Sequence, residues 1–259
     1  IYTLSLHDAL PIFYIMISHK YKSPNFNERD TSLPLKYIII HYTGVKSPFS
    51  DICKWFEKPS SAVSCHYAID YDGTIYSFVD VQQRAWHAGK SYWNGDSDIN
   101  SASIGIEIHN SGDEDFLNIQ IESLIYLIKF LMRDYNIKYY DVIGHSDISV
   151  SRKIDPGKSF PWQILSKEGI GIFSNQDSKN YSKQINKERN QFFNEINQKM
   201  LKKIGFDINI TNKFDNHTKQ VIEAFQRHWR PSKIDGFIDV STEDILIDVS
   251  NQFNMARVR

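Results

Sequence analysis

The chain has 259 residues, enough for one large domain or a larger domain plus a smaller one. Lys+Arg 30 against Asp+Glu 31 leaves a net charge of −1, so no global field draws it to nucleic acid or to an anionic membrane. The 41% hydrophobic share excludes whole-chain disorder, and the only two cysteines, Cys53 and Cys65, exclude a multi-bridge disulfide framework.

Taken from the amino terminus, Ile1–Ile12 reads as translated adapter DNA fused to a truncated frame, within an extension covering residues 1–22. The apolar run Ile12–Ile17 is far short of the roughly 18 residues of a membrane-spanning helix, so no transmembrane segment is expected. Residues 1–20 also lack the ordered parts of a secretory signal, although a signal or anchor upstream of a truncated frame would have been lost.

After a polar lead (Ser23–Pro34), Lys36–His41 is a β-branched run that predicts a buried strand. Ile52–Glu57 predicts a short helix. The segments His66–Ile69 and Thr74–Val79 flank Asp70-Tyr71-Asp72-Gly73 and predict a hairpin. Ser103–His109 alternates with period two, placing Ile104, Ile106 and Ile108 on one face and Gly105, Glu107 and His109 on the other. Ile119–Tyr135 has helical apolar spacing, and Tyr140–Gly144 predicts a strand that ends at His145. The mixture is an α/β or α+β pattern.

A polar stretch, residues 174–190, reads as a linker. Beyond it, Phe192–Ile204, Thr218–Trp229 and Thr242–Val249 predict three helices, a small unit over residues 191–250. The expected fold is therefore a mixed central sheet flanked by helices over residues 23–173, followed by a small three-helix domain.

The nine His are scattered, so any metal site must be assembled from distant segments. His41, His145 and Asp155 each stand where an extended run turns into a loop, and two imidazoles plus one carboxylate are the ligand count of a hydrolytic zinc site with an open position. For any one of them alone, a satisfied turn or core residue is the commoner role. The short-range HExxH signature is absent. Glu107 taken alone is equally an exposed strand carboxylate, and Lys153 a solvated loop charge.

The ensemble is more specific. SPNFNERD, YIIIHYTG, SCHYAIDYDGTIY, RAWHAGKSYW, DINSASIGIEIHN, VIGHSDIS and RKIDPGKSFPW follow one another between Ser23 and Phe173. In that order and spacing they resemble the type 2 zinc-dependent N-acetylmuramoyl-L-alanine amidases, relatives of bacteriophage amidases and peptidoglycan recognition proteins. The resemblance implies one Zn2+ held by His41, His145 and Asp155, with Glu107 as the catalytic carboxylate and Lys153 as the basic residue two before the Asp ligand. It also implies that Tyr42, Trp86 and His87 face substrate, with Trp86–Gly89 and Tyr92-Trp93 forming an aromatic loop by the groove. His66 and His109 are expected to be structural. Cys65 stands where some relatives carry a Tyr beside the metal, and it is expected not to touch zinc.

The residues from Ala224 to Thr242 resemble a three-helix peptidoglycan-binding domain through the pattern FQ, W, DG and D. The implied activity is hydrolysis of the amide between N-acetylmuramic acid and L-alanine, with peptidoglycan or muropeptide as partner. The implied address is the cell envelope or periplasm, with the cytoplasm as the alternative; the oligomeric state stays open. Two rivals stand beside it: a non-catalytic recognition module, and an amidase restricted to soluble anhydro-muropeptides.

Overall fold

In chain order the strands are β1 (Ile17–Ser18), β2 (Phe26–Glu28), β3 (Tyr37–Tyr42), β4 (Tyr67–Ile69), β5 (Ile75–Ser77), β6 (Gln83–Ala85), β7 (Ser103–Ile108) and β8 (Val142–Gly144). The helices are α1 (Phe49–Glu57), α2 (Ile99–Ala102), α3 (Asn118–Tyr135), α4 (His145–Ile148), α5 (Trp162–Lys167), α6 (Asn190–Ile204), α7 (Asn216–Trp229) and α8 (Val240–Val258). The structure is a computed structural model that describes residues 17–174 and 190–258. The Ile1–Ile12 reading, and all of the polar stretch between 175 and 189, lie outside the described residues.

Six strands form one mixed sheet in the order β1-β5-β4-β7-β3-β8, and β2 pairs with β6 in a separate antiparallel ribbon. Only the β4–β5 hairpin within the main sheet is antiparallel; β7, β3 and the edge strand β8 run parallel side by side. This explains the composition of β3: a central parallel strand is covered on both faces and therefore reads as an unbroken apolar run. Ile38 and Ile40 point to one face, where they meet Ile104, Ile106 and the Leu124, Leu127, Ile128 and Leu131 stripe of α3. Tyr37 and Ile39 point to the other, against Ile99, Ala102 and the carboxy-terminal helices. The alternation expected for β7 holds, since its isoleucines all lie in the α3-side core.

Predicted elements shift at their ends by a few residues, and some change more. Residues Phe49–Ser50-Asp51 join the first helix, and the last helix runs to Val258 because Val249 and Phe253 continue its buried stripe. Val142 starts the final strand after a single turn at 139–141. His145 opens α4 instead of ending in a loop.

The three carboxy-terminal helices share a core with the sheet. Trp93, fully buried, sits edge-on to Phe206 at 5.1 Å and near Phe253 at 6.5 Å. Trp229 donates its Nε1–H to the Ile172 carbonyl at 2.8 Å. The expectation that Tyr92-Trp93 forms an aromatic wall by the groove therefore fails for Trp93: the helices cover it, and no sequence pattern within the loop announces that cover. Among the described residues no helix is long and apolar enough to cross a membrane.

Candidate metal centre

The parallel strands β3, β7 and β8 all end at the same edge of the sheet, the position where open α/β sheets carry their sites. His41 and Glu107 are direct register partners across β3 and β7, and Ile40 pairs with Gly144, which puts His145 one residue past β8 beside them. The loop after α4 brings Lys153 and Asp155 back to the same edge, with the Asp155 carbonyl accepting from Ser146 N at 2.8 Å. Residues spread over more than a hundred positions thus meet through strand register and one returning loop.

His41 Nδ1 lies 2.9 Å from His145 Nδ1 and 3.0 Å from Asp155 Oδ2, and His145 Nδ1 lies 2.9 Å from the same oxygen. All three residues are buried. Their outer nitrogens reveal which inner atoms carry lone pairs. Ser103 Oγ donates to the Ile99 carbonyl at 2.5 Å, so it accepts from His87 Nε2–H at 3.2 Å. His87 Nδ1 then accepts from His41 Nε2–H at 3.0 Å, which leaves His41 Nδ1 as an acceptor. His145 Nε2–H donates to the Ala88 carbonyl at 3.1 Å, which in a neutral ring makes its Nδ1 an acceptor too.

Three acceptors converging on one point repel one another unless a cation lies between them. The donor set, two imidazole nitrogens and one carboxylate oxygen, fits a divalent metal with a coordination position left open. Among the described residues it is the one such cluster. The electrostatics agree. Burial, then the neighbouring His145, pushes His41 down to about 4, so its ring is neutral at neutral pH. Burial alone would raise the Asp155 carboxyl, but the two imidazoles that face it, His145 first and then His41, hold it far below the usual range and keep it ionised.

Glu107 is half-buried overall, yet its Oε2 has neither solvent nor a hydrogen-bond partner. Burial, with the charge of Asp155 added, raises its carboxyl to about 8; Lys153 opposes the shift. Both side chains line an open cleft of about 720 Å³ with the three cluster residues. Tyr42 and Trp86 line the same cleft. Trp86 is steadied by its Nε1–H to Asn27 Oδ1 at 2.6 Å, while Tyr42 packs among Gly44, Gly112 and Gly157, where a Cβ at any of the three would crowd its ring. The cleft also has an apolar rim that the sequence did not single out, in which Trp55 and Ile154 are more than half exposed or nearly so.

His87, expected to face substrate, lines the cleft but is largely buried and spends both nitrogens on His41 and Ser103. Its ring lies against β7 at Gly105, where an added Cβ would come within 2.4 Å of it. Gly105 is required for that approach, a pairing no local pattern reveals. His66 is buried and accepts from Gly105 N at 2.9 Å, and His109 sits by Thr43 Oγ1 at 3.1 Å; neither joins the cluster. Cys65 packs with Cys53, Phe56 and Phe78 away from it, its thiol pushed well up by burial.

Residues 31–158 match the family described as N-acetylmuramoyl-L-alanine amidase, and residues 196–246 match the one described as "Putative peptidoglycan binding domain". The chain is 33% identical over 227 residues to N-acetylmuramoyl-L-alanine amidase AmiD of Escherichia coli, covering 82% of this chain and 80% of AmiD. It is 34% identical over 159 residues to 1,6-anhydro-N-acetylmuramyl-L-alanine amidase AmpD of Haemophilus influenzae, covering 55% of this chain and 86% of AmpD. Among solved structures, that of E. coli AmiD with anhydro-N-acetylmuramic acid-L-Ala-D-gamma-Glu-L-Lys aligns with a TM-score of 0.69 at 28% identity, over 88% of this chain and 98% of that one. Pseudomonas aeruginosa AmpDh3 in complex with anhydromuramic pentapeptide aligns with a TM-score of 0.71 at 26% identity, over 95% and 98%.

Proposed function

The chain belongs to the N-acetylmuramoyl-L-alanine amidase family, and from that premise we propose that it hydrolyses the amide between the lactyl group of N-acetylmuramic acid and L-alanine, with zinc held by His41, His145 and Asp155. The observation that carries the reading is the convergence of three lone-pair donors beside an unpartnered, buried carboxyl oxygen at the head of an open cleft.

Zinc bound there would polarise the substrate carbonyl and lower the pKa of the attacking water. The chain's own groups do the rest. Glu107 takes the proton from the attacking water and returns it to the departing alanine nitrogen. A carboxyl raised by burial is suited to both directions of transfer near neutral pH. Lys153 donates to the oxygen that gains charge in the tetrahedral transition state. His87 acts as a positioning residue, holding His41 in the tautomer whose Nδ1 lone pair faces the metal position. Tyr42, Trp86 and the exposed rim residue Trp55 offer aromatic faces to the sugar and peptide stem.

A recognition module that binds without cleaving has no need of a complete ligand triad or of a proton carrier beside it, and both are present here. The amidase restricted to soluble anhydro-muropeptides remains a second reading, because the AmiD and AmpDh3 structures hold anhydromuramyl peptides. Polymeric peptidoglycan is favoured by the helical module, whose Phe214 and Phe237 stack at 5.4 Å and are both exposed. The polymer reading places the reaction in the cell envelope or periplasm, and the soluble-fragment reading admits the cytoplasm.

Metal analysis of the purified chain is expected to find about one zinc per molecule; a folded, active preparation without metal would overturn the zinc assignment. Mass spectrometry of products from intact murein and from anhydro-muropeptide, run side by side, separates the substrate readings. Release of the stem peptide from neither would leave the recognition module as the correct one.

A further inference from the structure

α4 is four residues long, too short to hold itself as a helix, yet it begins with His145. The group that fixes it is Asp147, whose Oδ2 accepts from Gly144 N at 2.8 Å. Asp147 is 1% exposed, and a carboxyl so deeply buried is costly unless it is paired. Its partner comes from the other end of the chain: His228 Nδ1 on α7 lies 2.7 Å from the same Oδ2, 81 residues later.

The His228 ring has little freedom. It stacks between Trp162 at 3.8 Å and Trp229 at 3.7 Å, both nearly parallel to it, and Trp229 is itself tied to the Ile172 carbonyl. On the other side of the turn, a Cβ at Gly144 would meet Pro156 Cδ at 2.8 Å, next to Asp155. A continuous set of contacts therefore runs from α7 through Asp147 to the backbone that carries His145.

We propose that His228 is a positioning residue for the metal centre, and that the carboxy-terminal helical module braces His145 through the His228–Asp147–Gly144 contacts. The proposal rests on the reading of His145 as a metal ligand. Removing the His228 N–H leaves a buried carboxyl short of a donor. The turn then relaxes to reach water or another donor, and His145 Nδ1 moves off the point it shares with His41 and Asp155. The module thus completes the centre as well as offering a surface to the cell wall.

The test uses the full chain and two readouts other than turnover: zinc affinity by chelator competition, and the visible absorption of the cobalt(II)-substituted protein. His228→Phe keeps a stacked ring but has no N–H; His228→Asn restores an N–H near the Nδ1 position. His228→Phe is expected to weaken zinc binding roughly tenfold or more, the low end of what outer partners of metal ligands contribute, and to shift the cobalt bands. His228→Asn is expected to recover most of the affinity. Parent affinity and spectrum in His228→Phe would overturn the proposal, and so would an equal loss in His228→Asn, which would mark lost packing in place of a lost hydrogen bond. If His228→Phe does not fold, His228→Ala makes the same comparison with His228→Asn. His145→Ala separates the two levels: loss of the tight zinc site supports the ligand reading, whereas parent affinity would sink that reading and the brace with it.

Discussion

Asp155 and Glu107 reach the same cleft from different elements, and their surroundings drive the two carboxyls apart. On the wall formed by β3, α4 and the following loop, Asp155 Oδ2 faces two imidazole nitrogens at 2.9 and 3.0 Å, and the carboxyl stays ionised. On the β7 wall, Glu107 Oε2 faces no donor at all, and burial lifts its carboxyl to about 8. Burial is common to both; pairing decides the outcome. One wall keeps a permanent anion suited to hold a cation, and the other keeps a group that can change its protonation during a reaction.

The contrast breaks most completely if the paired wall is dismantled. Asp155→Ala or His145→Ala is expected to abolish both stoichiometric zinc and amidase turnover, with chelation reproducing the loss in the parent and added zinc reversing it only there. Metal content measured alongside product release checks this; a variant that keeps both would remove the triad from the mechanism.

Changing the unpaired wall should leave the metal in place. Glu107→Gln is expected to hold zinc at parent stoichiometry while kcat falls by about 10²–10⁴, the range of a general acid/base contribution. An unchanged kcat would mean that another group carries the proton.

A smaller effect is expected behind the paired wall. Gly105→Ala adds a methyl that would approach the His87 ring to 2.4 Å, pushing it off His41 Nε2. Metal affinity should then drop by roughly 10–100-fold, as when other outer partners of ligating histidines are lost. Isothermal titration with zinc decides it, and parent affinity would show that His87 does not hold His41.

The smallest effect concerns stability in the metal-free protein. Glu107 titrates near 4.5 when unperturbed and at about 8 in the fold. Between those values the native state retains a proton that the unfolded chain has released, so stability falls as pH rises through that window and levels off above it. Glu107→Gln removes the group, so its gain in Tm over the parent should be larger at pH 9 than at pH 5. Thermal melts at the two pH values test the sign, and an equal or reversed difference would contradict the buried, unpaired environment of Glu107.

How much of this was legible in advance differs between elements. The central strand was readable because β3 is covered on both faces and carries Ile38, Ile39 and Ile40 in succession. The polar face of β7 was readable because strand side chains alternate strictly. The short α4 and α2 were missed, since four residues give no helical period to detect. His87 lines the cleft, as its aromatic loop suggests, but its hydrogen bond to His41 depends on the absence of a side chain at Gly105, on a different strand. The His228–Asp147 contact left no trace in either segment, because neither residue belongs to a local pattern.

By itself, then, the sequence determined the residue types that chemistry needs, the order of the longer strands and helices, and the family to which their motifs belong, because periodicity and motif spacing are properties of nearby residues. Only the tertiary structure decided which lone pairs converge, which carboxyl is paired and which is not, and that the carboxy-terminal helices share a core with the sheet. Those outcomes depend on parallel strand register and on packing between segments far apart in the chain, where a displacement of an ångström or two separates a ligand from a bystander.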